Sequence, residues 1–149
     1  MKDQNKCRIE KSRRFIKRIV VHCSATPEGK QFYAADIDRW HKANGWNGIG
    51  YHYVVDINGR VELGRTIHVQ GAHAGVYNPG SIGICYIGGL DKDGTAKDTR
   101  TQDQKESLQW LLSEMKRMYP NAEIVGHRDL PGVAKACPSF DAKSEYKNL

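Results

Sequence analysis

No stretch of the sequence approaches the run of roughly 20 apolar residues that a membrane-spanning helix needs, so no membrane insertion is expected. The basic N-terminus meets only the short apolar patch Ile19 to Val21, too little for the core of a secretory leader. Synthesis in the cytoplasm without a signal peptide is the expectation. Cysteine is scarce: Cys7, Cys23, Cys85 and Cys137 are too few for a disulfide scaffold, stand at no CxxC spacing, and read as thiols made in a reducing cytosol. The sequence has no HExxH pattern, internal repeat or low-complexity block, and 15 Gly with 5 Pro carry no collagen or linker bias.

What remains is a chain of 149 residues, the size of one domain. Area scaling gives roughly 7,600 Å² of folded surface against roughly 24,000 Å² unfolded, enough burial for one core. Lys and Arg number 23 against 17 Asp and Glu, a net charge of +6. That excess suits a polyanionic partner: nucleic acid, an anionic membrane surface or a charged wall polymer. Much of it lies within the first 18 positions (Lys2, Lys6, Arg8, Lys11, Arg13, Arg14, Lys17, Arg18), where a solvated arm accounts for it equally well. The chain divides into a basic N-terminal arm, 1–14, and a folded domain, 15–149. No RNA- or DNA-binding motif occurs in the folded part, and no nucleic acid partner is expected.

The β-branched run Phe15 to His22 reads as a buried strand. Ile37, Trp40 and His41, with Gly45 as a left-handed stop, place a helix over 34–44. YHYVVDI, Asn58-Gly59 and RVELGR read as a β-hairpin whose Asn and Gly both take positive φ in a type I′ turn. Ser81 to Ile87 is again strand-like. Thr101 opens a T-x-x-Q capping box, and Leu108, Leu111, Leu112, Met115, Met118 and Tyr119 form one face of a long helix stopped at Pro120. Residues 122–125 are a last short strand. This alternation predicts an α/β domain with a mixed central sheet flanked by helices. The first and last strands end in His22 and His127, and parallel pairing would bring the two imidazoles to one sheet edge.

A catalytic zinc site takes three protein ligands from His, Cys, Asp or Glu and a water. His22, His127 and Cys137 fit, with Pro131, Gly132 and Pro138 in the loop that would return the thiolate to the strand end. Strand-end histidines capped by carbonyls, and a buried inert cysteine, are the plain alternative.

The segments VVHCSAT, DIDRWHKANGW, IGYHYVVDINGRVELGR, GAHAGVYNPGSIGICYIGG and GHRDLPGVAKACPSFD resemble the N-acetylmuramoyl-L-alanine amidases of the type 2 family, particularly the small phage lysozyme-amidases. Animal peptidoglycan recognition proteins are relatives of that fold. The likeness runs in order from Arg18 to Asp141, about four-fifths of the chain. It implies Zn²⁺ as cofactor, held by His22, His127 and Cys137, and it selects Cys137 over Cys23, which alternation along the strand turns away. It implies catalytic roles for Tyr51, orienting water or relaying a proton, and for Lys135, holding the developing negative charge. Other branches carry Thr or Glu at the lysine position, so Lys135 is the less transferable of the two.

In GAHAGVYNPG the resemblance implies that His73 and Asn78 contact substrate, while turn chemistry at Asn78-Pro79 explains the same residues as a braced loop. His41 reads as packing; His52, facing opposite to Tyr51, and His68 receive no role. The implied function is hydrolysis of the amide between N-acetylmuramic acid and the L-alanine of the stem peptide in peptidoglycan. The alternative is a module that binds peptidoglycan without cutting it, as some recognition-protein relatives do. A monomer that reaches the cell wall after release or lysis, as a phage or prophage endolysin does, completes the expectation.

Overall fold

The structure, a computed structural model, describes residues 2–149. The β-branched run is extended over Arg18–Cys23 (β1). It is followed by the two-residue β2 (Thr26–Pro27), helix α1 (Ala34–Ala43), the hairpin β3 (Tyr53–Val55) and β4 (Val61–Leu63), strand β5 (Ser81–Tyr86) and the short β6 (Gly89–Leu90). The long helix α2 (Gln102–Met118), strand β7 (Glu123–Gly126) and a last turn of helix, α3 (Ala142–Glu145), complete the chain. Five strands form one sheet in the order β4-β3-β5-β1-β7, parallel except for the β3–β4 hairpin, and β2 pairs with β6 apart from it. This is the mixed, helix-flanked α/β sheet that the pattern implies. Its accessible surface, 7,672 Å², matches the value scaled from chain mass.

Alternation along the buried strands sorts the core. Ile19 and Val21 of β1, Tyr53 and Val55 of β3, and Ile82, Ile84 and Tyr86 of β5 pack against Leu108, Leu111, Leu112 and Met115 of α2. On the opposite face Val54 and Cys85 meet Ala34 and Ile37 of α1, while Val20 and Val125 meet Ala74 and Leu130. Helix α1 covers only part of this second face, and the site lies on the remainder.

The capping box forms: Thr101 Oγ1 accepts from the Gln104 N–H at 3.1 Å and Gln104 Oε1 from the Thr101 N–H at 2.9 Å. Gln104 is itself buried, and its Nε2 donates to the carbonyls of Val55 and Ile87, tying α2 to β3 and to the end of β5. The hairpin forms as well, but not through a type I′ turn. Gly59 has φ +82°, whereas Asn58 is not in the positive-φ region. The Asp56 carboxylate accepts the N–H groups of both Asn58 and Arg60, and the Asp56 N–H donates to the Arg60 carbonyl. Three residues therefore close the loop, with glycine alone in the left-handed position, a common alternative to the two-residue turn. The carboxylate two residues before Asn58 decides between them.

Part of the N-terminal segment lies on the domain; Met1 is outside the described residues. The Ser12 N–H donates to the Tyr119 hydroxyl at 2.7 Å, Ser12 Oγ donates to the Ile67 carbonyl, and Arg14 reaches the carbonyls of Ile67 and Ser81.

His52, 1% exposed, is locked as a neutral ring. Its Nδ1 accepts the Gly83 N–H at 3.1 Å and its Nε2 lies 2.8 Å from the Val69 carbonyl, to which it donates. Burial above all, then Arg14 and Arg65, lowers its pKa to about 4. Above pH 6.5 the ring is neutral in folded and unfolded chains alike; below it the unfolded chain takes up a proton that the folded site refuses. His52 therefore contributes stability that is lost between pH 6.5 and 4, about 3 kcal/mol in all. Urea titrations across that range are expected to show His52→Gln with a shallower pH slope than wild type, by up to one proton. An unchanged slope would refute the assignment.

Candidate metal centre and groove

Parallel pairing sets Val21 of β1 opposite Gly126 of β7, so the next residues, His22 and His127, leave the sheet side by side. Their ring centroids are 4.6 Å apart. His127 opens a single 3₁₀ turn, His127–Asp129, whose Gly126 N–H donates to Asp129 Oδ2. From there the chain loops out and returns. The Arg128 N–H donates to the Cys137 carbonyl at 2.8 Å, and the Cys23 N–H donates to Cys137 Sγ at 3.3 Å. Cys137 Sγ thus lies 3.8 Å from His22 Nδ1, and the ligand atoms of His22, His127 and Cys137 all fall within 4.8 Å of one another.

The electrostatics suit metal binding. Burial, reinforced by His73, His127 and Lys135, holds the His22 pKa well below its ordinary value, and burial with Lys135 lowers that of His127. Both rings are neutral at physiological pH, with lone pairs available. Contact with the Cys23 sulfur and burial push the Cys137 thiol up, so a thiolate there needs a cation beside it. Two imidazole nitrogens and one sulfur fit a borderline metal ion. Of the other thiols, Cys23 touches Cys137 without joining the group of three ligand atoms, Cys85 is buried on the sheet, and Cys7 packs against the main core.

Beside the trio runs an open groove of about 980 Å³. One wall carries Tyr51, His41 and Trp46, the other Val76, Tyr77 and Asn78, with Lys135 near the loop that brings Cys137 back. The Tyr51 ring is 5.0 Å from that of His22. Its hydroxyl is pushed well above its usual pKa, first by burial and then by the thiols of Cys85, Cys137 and Cys23, so at neutral pH it is a proton donor. Lys135 is exposed, and its charge is felt at both histidines.

Asn78 Oδ1 accepts the N–H groups of His73 and Ala74 at 3.0 and 2.8 Å, so it braces its own loop while lining the groove. Arg18 holds the same loop from below through the carbonyls of Tyr77 and Pro79, and the Tyr77 hydroxyl donates to the Pro131 carbonyl, joining the two loops that border the site. His73 Nδ1 lies 2.8 Å from His22 Nε2. His41 packs as expected, its Nδ1 accepting the Gly50 N–H, but its ring also meets that of Trp46 at a tilt, 4.5 Å between centroids, and reaches the groove. His68 is away from the site, bonded to the Arg13 N–H and Glu10.

Sequence reasoning missed Trp46, which is 44% exposed on the groove wall. It also missed two glycines. A Cβ on Gly83 or on Gly71 would come within 2.6 Å of the His73 ring, so the two positions form a slot for that imidazole. A glycine inside the apolar run SIGICYI was the available signal, since strand glycines mark close approach.

The sequence model of the N-acetylmuramoyl-L-alanine amidase family matches residues 12–140. The endolysin of Escherichia phage T7 is 40% identical over 133 residues, covering 89% of this chain and 87% of that protein. Among solved structures, the N-acetylmuramoyl-L-alanine amidase LysC from Clostridium intestinale superposes with a TM-score of 0.75 at 26% identity, covering 89% of this chain and 82% of that one. Drosophila PGRP-LB shares the fold, with a TM-score of 0.74 at 24% identity over 94% of this chain and 84% of its own. With a His/His/Cys cluster at the end of its central strands and a groove beside it, the chain belongs to the N-acetylmuramoyl-L-alanine amidase family, and its activity is that of a peptidoglycan amidase.

Proposed function

We propose that the enzyme is zinc-dependent and cuts the amide between the lactyl group of N-acetylmuramic acid and the L-alanine that begins the stem peptide. The observation that carries this reading is the convergence of His22, His127 and Cys137 within 4.8 Å, the donor types and number that catalytic zinc sites use. Zinc held there lowers the pKa of a bound water to about 7 and polarises a carbonyl.

The chain's own residues supply the rest. Tyr51, its proton retained by burial, donates a hydrogen bond that orients water or passes a proton toward the departing nitrogen. The Lys135 ammonium faces the negative charge that develops on the carbonyl oxygen. The loop carrying His73 and Asn78 is the wall against which the stem peptide and sugar lie. Groove and ligand trio lie within one chain, which supports action as a monomer, and the likeness to phage endolysins supports action on the cell wall after release from the cytoplasm. In this reading residues 15–149 are the catalytic domain, and 1–14 are a basic arm that binds no nucleic acid.

Purified protein is expected to hold one zinc per chain by metal analysis, and Cys137→Ser and His127→Ala to lose it along with activity. With muropeptides, the wild type is expected to release peptides with free L-alanine amino termini, a release that stops with chelator and returns with zinc. A Cys137→Ser variant that turns over normally, or the absence of new L-alanine termini from every peptidoglycan tried, would refute the proposal. Binding of peptidoglycan without release would instead identify a recognition module.

Tyr51→Phe separates chemistry from metal binding. It is expected to keep its zinc and lose about 10²-fold in kcat, the usual scale for one proton-transfer or oxyanion donor. Loss of zinc with the hydroxyl would assign Tyr51 to the metal site instead.

A further inference from the structure

His22 has two ring nitrogens with two different neighbours. Nδ1 faces Cys137 Sγ at 3.8 Å, and Nε2 lies 2.8 Å from His73 Nδ1. Only one proton can sit between the two rings, so two arrangements exist. If His73 donates, the neutral His22 must carry its own proton on Nδ1, and that nitrogen is lost as a ligand. If His22 donates from Nε2, its Nδ1 lone pair is free and aimed into the cluster with His127 and Cys137.

The surroundings of His73 hold its ring in place against His22. The ring stands in the slot between Gly71 and Gly83, where any β-carbon would collide with it at 2.6 Å. The backbone at residues 73 and 74 is clamped by Asn78 Oδ1. The other ring nitrogen, Nε2, is buried without a hydrogen-bond partner among the described residues. Both polar atoms of the side chain are turned inward, so it presents neither to a molecule in the groove.

We propose that His73 is a positioning residue: by accepting the His22 Nε2–H on its Nδ1, it fixes the tautomer and the ring plane in which His22 Nδ1 serves as metal ligand. The inference rests on the zinc-dependent reading above. It predicts a loss of metal affinity, whereas a substrate contact predicts a rise in KM with metal affinity intact.

The test measures Zn²⁺ affinity by competition with a chromophoric chelator, alongside amidase kinetics, for full-length wild type, His73→Ala, His73→Asn and His127→Ala. His73→Ala is expected to bind Zn²⁺ 10–100-fold more weakly, the usual consequence of removing a ligand's outer partner, and to lose kcat with KM little changed. His73→Asn, whose carboxamide oxygen can stand where Nδ1 stood, is expected to recover most of the affinity. Wild-type Zn²⁺ affinity in His73→Ala with a raised KM would overturn the proposal. Wild type that binds zinc no better than His127→Ala would overturn the zinc reading and this one together. Should His73→Ala not fold, ¹⁵N-labelled zinc-loaded wild type decides: the shared proton is expected to be bonded to His22 Nε2 and coupled across the hydrogen bond to an unprotonated His73 Nδ1, and a proton bonded to His73 Nδ1, or no coupling, overturns the proposal.

Discussion

The parallel ladder between β1 and β7 is the contact on which the site depends. Register in a strand has period two, so a slip of one residue between these neighbours would turn His22 from the groove face to the face packed on α2. The slip is resisted from both sides: Ile19, Val21 and Ile124 are committed to the α2 core, Val20 and Val125 to the opposite one. Two imidazoles are thereby delivered side by side, buried and neutral, at the ends of paired strands. Cys137 is added by local means, a backbone hydrogen bond from Arg128 and the anchoring of Leu130 among Val20, Ala74 and Val125.

Cations reinforce the frame around this centre. Arg18 spans the carbonyls of Tyr77 and Pro79, Arg65 those of Ile49 and Gln70, and Arg14 those of Ile67 and Ser81. Each guanidinium presents several donors in a fixed fork and so staples backbone carbonyls of the loops around the site and, through Arg14, of the first residue of β5. Arg100, with a side chain only 2% exposed, lies between Asp98 and Glu145 and over the Phe140 ring at 3.4 Å, and it secures the chain just beyond Cys137. Part of the basic excess is thus internal bracing.

Much of this was open to a reader of the sequence. The β-branched run of β1, the capping box at Thr101 and the apolar stripe of α2 are local patterns governed by local physics, and all three form at or within a few residues of where the pattern puts them. The short β2–β6 pair and α3 were not visible, because two-residue strands and a four-residue helix carry no periodicity and exist only through their partners. The Asn58-Gly59 turn went astray for a related reason: the Asp56 carboxylate competes for the same backbone N–H groups, and dipeptide preference does not register it.

Residue types and their order along the chain were enough to nominate two histidines at strand ends, a cysteine in the following loop, and the family whose motifs they share. Which nitrogen of His22 turns toward the sulfur, why glycines stand at 71 and 83, and how Trp46 comes to line the groove were settled by folding alone. Those features depend on how folding sets rings and backbone against one another within a few ångströms, and no spacing along one strand or helix encodes such a meeting.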